Sequence, residues 1–187
     1  MNVSSNPSSS ANERAVVLLV DDQAIVCEAV RRALAHEVDL EFHYCATAVD
    51  ALATALELRP ALILQDLVMP DGDGLALIRA YRTDPVLKDT PIMVLSANDN
   101  AQNRTQAFAG GAEDFIVKLP DKVELLARIR HHTRAHLARS QREPLVRQLA
   151  DTQRQLAELS RAFNALNQRV TETVGSRTEF LANMSHE

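Results

Sequence analysis

Leu62-Ile63-Leu64-Gln65-Asp66-Leu67-Val68-Met69-Pro70 decides the fold of this chain. Three apolar residues run toward a carboxylate, and Pro70-Asp71-Gly72-Asp73-Gly74 follows as a turn. A short apolar run bounded by turn residues reads as a strand buried on both faces. Such a strand has no use for an Asp in its interior. Asp66 therefore belongs at the carboxyl end, where open α/β sheets place their ligand sites. The plainer reading is that Asp66 caps the next turn. Both stand until the flanking chain is read.

Upstream, Ala15 to Val20 is another unbroken apolar run, and it too stops at carboxylates, Asp21-Asp22. Gln23 to Leu34 carries apolar residues at Ile25-Val26, Ala29-Val30 and Ala33-Leu34, the helical period. Leu40 to Cys45 alternates and reads as a strand nearer the sheet edge, and Val49 to Leu58 is helical with Pro60 just beyond it. Downstream, the Asp73-Gly74 turn opens a helix over Leu75 to Tyr81, and Asp84 to Pro91 is a loop. Ile92 to Leu95 is a strand ending at Ser96, and Asn100 to Ala109 is a weak, polar helix closed by Gly110-Gly111. Phe115 to Val117 is a short strand ending at Lys118, and the chain is helical from Lys122.

Five strands thus alternate with five helices, which predicts a parallel sheet with helices on both faces. Asp21-Asp22, Asp66, Ser96 and Lys118 follow four of those strands, and in a parallel sheet all such ends share one edge. Carboxylates gathered there repel unless a cation joins them. Hard oxygen ligands with water suit Mg²⁺, placed between Asp22 and Asp66, with Asp21 acting through water and the Val68 backbone carbonyl completing the set. Asp66, ionised at neutral pH, is then a nucleophile able to form an acyl phosphate. The charge of a phosphoryl group in transfer would be met by the metal, by Lys118 and by Ser96.

Composition agrees. The chain has 187 residues, enough for one domain and an extension. Hydrophobic residues make up 46% but aromatics only 4%, so the core must be aliphatic. A net charge of −5 argues against a nucleic-acid surface. Two cysteines, Cys27 and Cys45, make no disulfide framework and read as reduced thiols of a cytoplasmic protein. No apolar run approaches the roughly 20 residues of a membrane span. The Ser-rich opening, residues 1–13, reads as a disordered tail.

Taken in order, Asp21-Asp22, Asp66, Ser96 and Lys118 resemble the receiver domain of bacterial two-component response regulators, over about Ala15 to Arg139. The resemblance implies a flavodoxin-like five-stranded parallel sheet of order 2-1-3-4-5. It implies Mg²⁺-dependent phosphorylation of Asp66 by a histidine kinase or phosphotransfer protein. It also implies a switch in which Ser96 moves toward the phosphoryl group and Phe115 turns inward; a plain core Phe is the alternative. One departure concerns the loop after Lys118. The family usually carries Lys-Pro with a cis bond, whereas this chain has Lys118-Leu119-Pro120, so any cis bond belongs to Leu119-Pro120. A calcium loop at Asp71-Gly72-Asp73-Gly74 is rejected, because Arg82 stands where the bidentate Glu is needed. The histidines show no metal-ligand cluster.

The helical pattern of the fifth helix runs on through Leu125, Ile129, Thr133 and Leu137 until Pro144 predicts a kink or break near Glu143. A heptad repeat follows. Leu149, Leu156, Phe163 and Val170 share one core position, and Leu145, Thr152, Leu159, Leu166 and Thr173 the other. Such a run predicts a coiled coil, with a parallel homodimer along the seam Leu149, Leu156, Leu159, Phe163, Leu166 and Val170; a lone amphipathic helix is the alternative. Thr178-Glu179-Phe180-Leu181-Ala182-Asn183-Met184-Ser185-His186-Glu187 resembles the H-box of histidine kinases, which implies His186 as a phosphoacceptor aided by Glu187. An ordinary helix end with one exposed His is the other reading. The expected organisation is a tail over 1–13, a receiver over 14–139, a coiled-coil linker over 140–175 and a truncated kinase dimerisation helix over 176–187. Two rival readings use the same residues: an unphosphorylated dimerisation module, and a small Mg²⁺ phosphatase.

Overall fold

The computed structural model describes residues 14–97, 100–118 and 120–184, with side chains as far as residue 169. Residues 1–13, Leu119, His186 and Glu187, and the side chains of Val170 and Thr173, lie outside that description, so the expectations placed on them are not addressed by it. The chain divides at the Arg139–Ser140 junction into two units, each described by itself.

The first unit runs β1 (Ala15–Val20), α1 (Ala24–Leu34), β2 (Leu40–Cys45), α2 (Ala48–Leu58), β3 (Leu62–Asp66), β4 (Val68–Met69), β5 (Gly72–Asp73), α3 (Gly74–Thr83), β6 (Ile92–Ser96), α4 (Ala101–Gly110) and β7 (Asp114–Val117), and ends in the first part of α5 (Lys122–Met184). Five strands form one sheet in the order β2-β1-β3-β6-β7, and every pairing in it is parallel. This is the expected 2-1-3-4-5 order once β4 and β5 are set apart. Those two-residue strands pair only with each other, antiparallel, inside the loop after Asp66. They are too short to leave any periodicity in the sequence.

Side-chain parity along the strands sorts the core into two layers. Val17, Leu19, Leu62, Leu64, Met93, Leu95 and Ile116 pack with Val26, Val30 and Leu34 of α1 and with Leu125 and Ile129 of α5. Leu18, Val20, Ile63, Ile92, Val94 and Phe115 pack with Ala51 and Ala55 of α2, Ile78 and Tyr81 of α3 and Ala107 of α4. Each fully buried Leu or Ile contributes roughly 1.5–3 kcal/mol, and β3 is buried along its whole length. The layer is aliphatic almost throughout, as a chain with few aromatics requires.

The starts of α2, α3 and α4 are held by side-chain acceptors. Thr47 accepts from the Asp50 N–H, and Asp71 reaches back to accept from the Ala48 and Val49 N–H groups (2.8 and 3.3 Å). Two side chains thus satisfy the first turn of α2. Asp73 caps α3 through Leu75 N–H (2.9 Å), and Asn100 caps α4 through Gln102 N–H (2.8 Å). These bonds also account for the Asp71 and Asp73 carboxylates that mimic a calcium loop.

Of the kink or break expected near Glu143, the break is absent. Helix α5 is continuous through Pro144. Proline removes one donor from the helical ladder, but the turns on both sides remain formed. In the second unit Leu145, Leu149, Leu156, Leu159, Phe163 and Leu166 are all exposed in the single chain. Among the described residues no helix is long and apolar enough to cross a membrane.

Candidate active site: an acidic pocket at the carboxyl edge of the sheet

Parallel pairing aligns the strand ends. Val20 lies beside Gln65 and Cys45, Asp66 beside Leu95, and Ser96 beside Val117. The residues that follow converge on one edge. One carboxylate oxygen each from Asp21, Asp22 and Asp66 lie within 4.8 Å of one another. Asp21 is fully buried, Asp66 nearly so, and Asp22 is exposed.

Lys118, the residue after β7, places its Nζ 2.6 Å from Asp66 Oδ2 and 3.0 Å from Asp21 Oδ2. Its backbone N–H donates to the Ser96 carbonyl (2.7 Å), which ties the end of β7 to the end of β6. Burial pulls the ammonium toward neutrality, but its hydrogen bond to Asp66 and its close contacts with both carboxylates outweigh that and hold its pKa above the ordinary lysine value. Asp21 moves upward. Burial penalises its charge by more than the Gln23 N–H (2.9 Å to Oδ1) and Lys118 recover. Although Lys118 lies 3.0 Å away, the geometry leaves buried Asp21 Oδ2 without a hydrogen bond.

Asp66 divides its oxygens. Oδ2 meets Lys118, and Oδ1 accepts from the Val68 N–H at 3.3 Å. Asp66 is thus both the last residue of β3 and an acceptor for the turn that follows it. Ser96 is buried at the end of β6. Phe115 is buried too, packed inward on the layer covered by α2, α3 and α4, with the Arg104 guanidinium 5.3 Å from its ring centroid. His43, His132 and His136 pair with Glu41, Asp114 and the Asp89 carbonyl respectively.

Sequence patterning did not reveal what holds Asp66 from behind. Gln65, fully buried, donates from Nε2 to the Asp66 carbonyl (2.8 Å) and accepts from the Tyr81 hydroxyl at 3.1 Å. Gly74 comes so close that a Cβ there would lie 2.1 Å from the same carbonyl oxygen. The signal available in the sequence was an amide inside an apolar strand.

Residues 17–130 match the family model of the response regulator receiver domain. The chain belongs to that family. Its receiver is 37% identical over 124 residues to the response regulator PleD of Caulobacter vibrioides, covering 65% of this chain and 26% of PleD. It is 33% identical over 167 residues to the response regulator MprA of Mycobacterium bovis, covering 88% of this chain and 68% of MprA. The chain thus spans about a quarter of the length of PleD. Among solved structures, the BeF3-activated N-terminal receiver domain of Klebsiella pneumoniae RstA aligns with a TM-score of 0.57 at 28% identity, over 64% of this chain and 98% of that one. The signal receiver domain of a signal transduction histidine kinase from Syntrophus aciditrophicus aligns with a TM-score of 0.59 at 25% identity, over 65% and 91%.

Proposed function

We propose that this receiver is phosphorylated on Asp66 with Mg²⁺ and passes the change along α5, as a dimeric coiled coil, to a histidine kinase output. The carrying observation is the convergence of Asp21, Asp22 and Asp66 with the Lys118 ammonium at one strand edge. The donor set fits the metal. It offers oxygen atoms only, and one of them, Asp21 Oδ2, is buried without a hydrogen bond. Asp22, Asp66 and the Val68 carbonyl would hold Mg²⁺ directly, with Asp21 through water. When bound, Mg²⁺ neutralises part of the charge on the acidic cluster and the incoming phosphate.

The rest is done by the chain. An Asp66 carboxylate oxygen attacks the phosphorus of a phosphohistidine donor from a kinase or phosphotransfer protein. The new P–O bond makes an acyl phosphate, the donor P–N bond breaks, and its electron pair leaves with the imidazole. Asp66 needs no general base. Lys118 stays close enough to follow one phosphoryl oxygen, and Ser96 lies on the neighbouring strand end to receive another. Phe115 is the switch aromatic in this reading. His186, with Glu187, is assigned as the phosphoacceptor of the kinase helix that α5 leads into. A kinase-linked receiver exists in the Syntrophus structure by its description, and this supports the output assigned here.

The test is acetyl phosphate labelling followed by intact-mass spectrometry. The native chain should gain one phosphate in Mg²⁺ and none in EDTA, and Asp66→Asn should gain none. Equal labelling of native protein and Asp66→Asn would falsify the assignment.

A further inference from the structure

The apolar interior on the α3 side of the sheet contains one amide. Gln65 shares strand parity with Ile63, so it faces the layer of Ile78 and Tyr81. A buried amide without partners is costly, and an apolar side chain of the same size would pack there without that risk. Gln65 is instead nearly saturated. Its Nε2 donates to the Asp66 carbonyl (2.8 Å) and lies 3.8 Å from Met69 Sδ, while its Oε1 accepts from the Tyr81 hydroxyl (3.1 Å). Tyr81 is itself fully buried, and burial pushes its hydroxyl well above the ordinary tyrosine value, so it stays a donor.

One side chain therefore joins three places: the peptide after the acidic Asp, the end of the β4 strand, and the buried face of α3. Gly74, at the start of the same helix, presses on the same carbonyl from another direction. The orientation of the Asp66–Leu67 peptide sets where the Asp66 carboxylate points and where the Val68 backbone lies.

We propose that Gln65 and Tyr81 are positioning residues, which hold the Asp66–Leu67 peptide so that the Asp66 carboxylate and the Val68 backbone face a single divalent cation. This rests on the reading of the acidic cluster as a Mg²⁺ site. Neither residue touches the metal or phosphate. Their effect is on ion affinity, through geometry.

The experiment separates positioning from packing with Gln65→Met, Tyr81→Phe and the pair combined. Mg²⁺ binding is measured by titration calorimetry, and thermal melting is followed in EDTA. Tyr81→Phe strands the Gln65 oxygen and should lower the Tm while raising the Mg²⁺ Kd. The combined variant no longer strands Gln65 Oε1 but deprives the Asp66 carbonyl of its amide donor, so its melt serves to show that it folds. Its Mg²⁺ Kd should stay about tenfold above native, as for other residues that orient metal ligands from behind. A combined variant with native Mg²⁺ affinity overturns the proposal. So does a Tyr81→Phe chain that melts lower yet binds Mg²⁺ as tightly as native, which keeps the test sharp if the combined variant fails to fold. A native chain that neither binds Mg²⁺ nor is labelled on Asp66 overturns the receiver chemistry and this proposal together. Native binding beside an unaffected combined variant overturns this proposal alone.

Discussion

Carboxylates in this receiver carry opposite energetic signs according to what surrounds them. Asp21 is buried with too few donors, so its charge is held at a cost to the fold. Asp114 lies at the other extreme. Burial alone would push its carboxyl up, but Arg128 Nη1 at 2.8 and 2.9 Å, His132 and the Phe115 N–H together bring it below the ordinary aspartate value. A folded-state pKa below the unfolded one means that the unfolded chain takes up the proton first. Asp114 therefore stabilises the fold above about pH 4 and loses that contribution as pH falls through its folded value. In urea melts, Asp114→Asn should be clearly less stable than native at pH 7, and the gap should narrow at pH 3. A gap of constant size would show that packing, and not charge, is what Asp114 supplies.

Elements were legible where they carry a period. The bounds of β1 follow from an apolar run and those of β2 from alternation, and helices α1 to α4 differ from expectation by a residue or two. The strand-end placement of Asp21, Asp22, Asp66, Ser96 and Lys118 was legible for the same reason, since parallel order makes strand ends coincide. Three things had no such signal. The β4–β5 pair is too short. The Gln65–Tyr81 bond joins residues whose proximity depends on how α3 seats against β3. Pro144 sits inside α5 because a long helix can lose one bond and keep its neighbours, so of the kink or break that a local rule predicted, the helix does not break. Gly74 shows how tight the seating of α3 is. Its requirement is space, because an added Cβ meets the Asp66 carbonyl at 2.1 Å and Leu67 Cα at 2.6 Å, both backbone. Gly74→Ala should destabilise the fold by about 1–3 kcal/mol and weaken Mg²⁺ binding in parallel. Denaturant titration with and without Mg²⁺ reads both, and an unchanged midpoint would mean that α3 can shift freely.

At the scale of the molecule, the two units have different needs. The first buries its apolar surface within itself, in the two layers that flank the sheet. The second, 140–184, presents Leu149, Leu156, Leu159, Phe163 and Leu166 at heptad spacing with each about 60–70% exposed. The proposed coiled coil would bury that seam against a second copy. Uncharged flanking positions such as Gln148, Gln155 and Gln153 leave its orientation to the core residues. Leu156→Asp together with Phe163→Asp should shift the chain from dimer to monomer in sedimentation velocity, with Mg²⁺ affinity at the acidic cluster unchanged. A dimer that survives both substitutions would place the interface elsewhere.

The sheet order has a temporal corollary. β7 is an outermost strand, four residues long, and the Lys118 ammonium that pairs with Asp21 and Asp66 follows directly after it. In any folding intermediate where β1 and β3 have paired before β7 docks, Asp21 and Asp66 would lie side by side without the Lys118 ammonium. A dissolved divalent ion would be a substitute there, so refolding should run faster in Mg²⁺ than in EDTA.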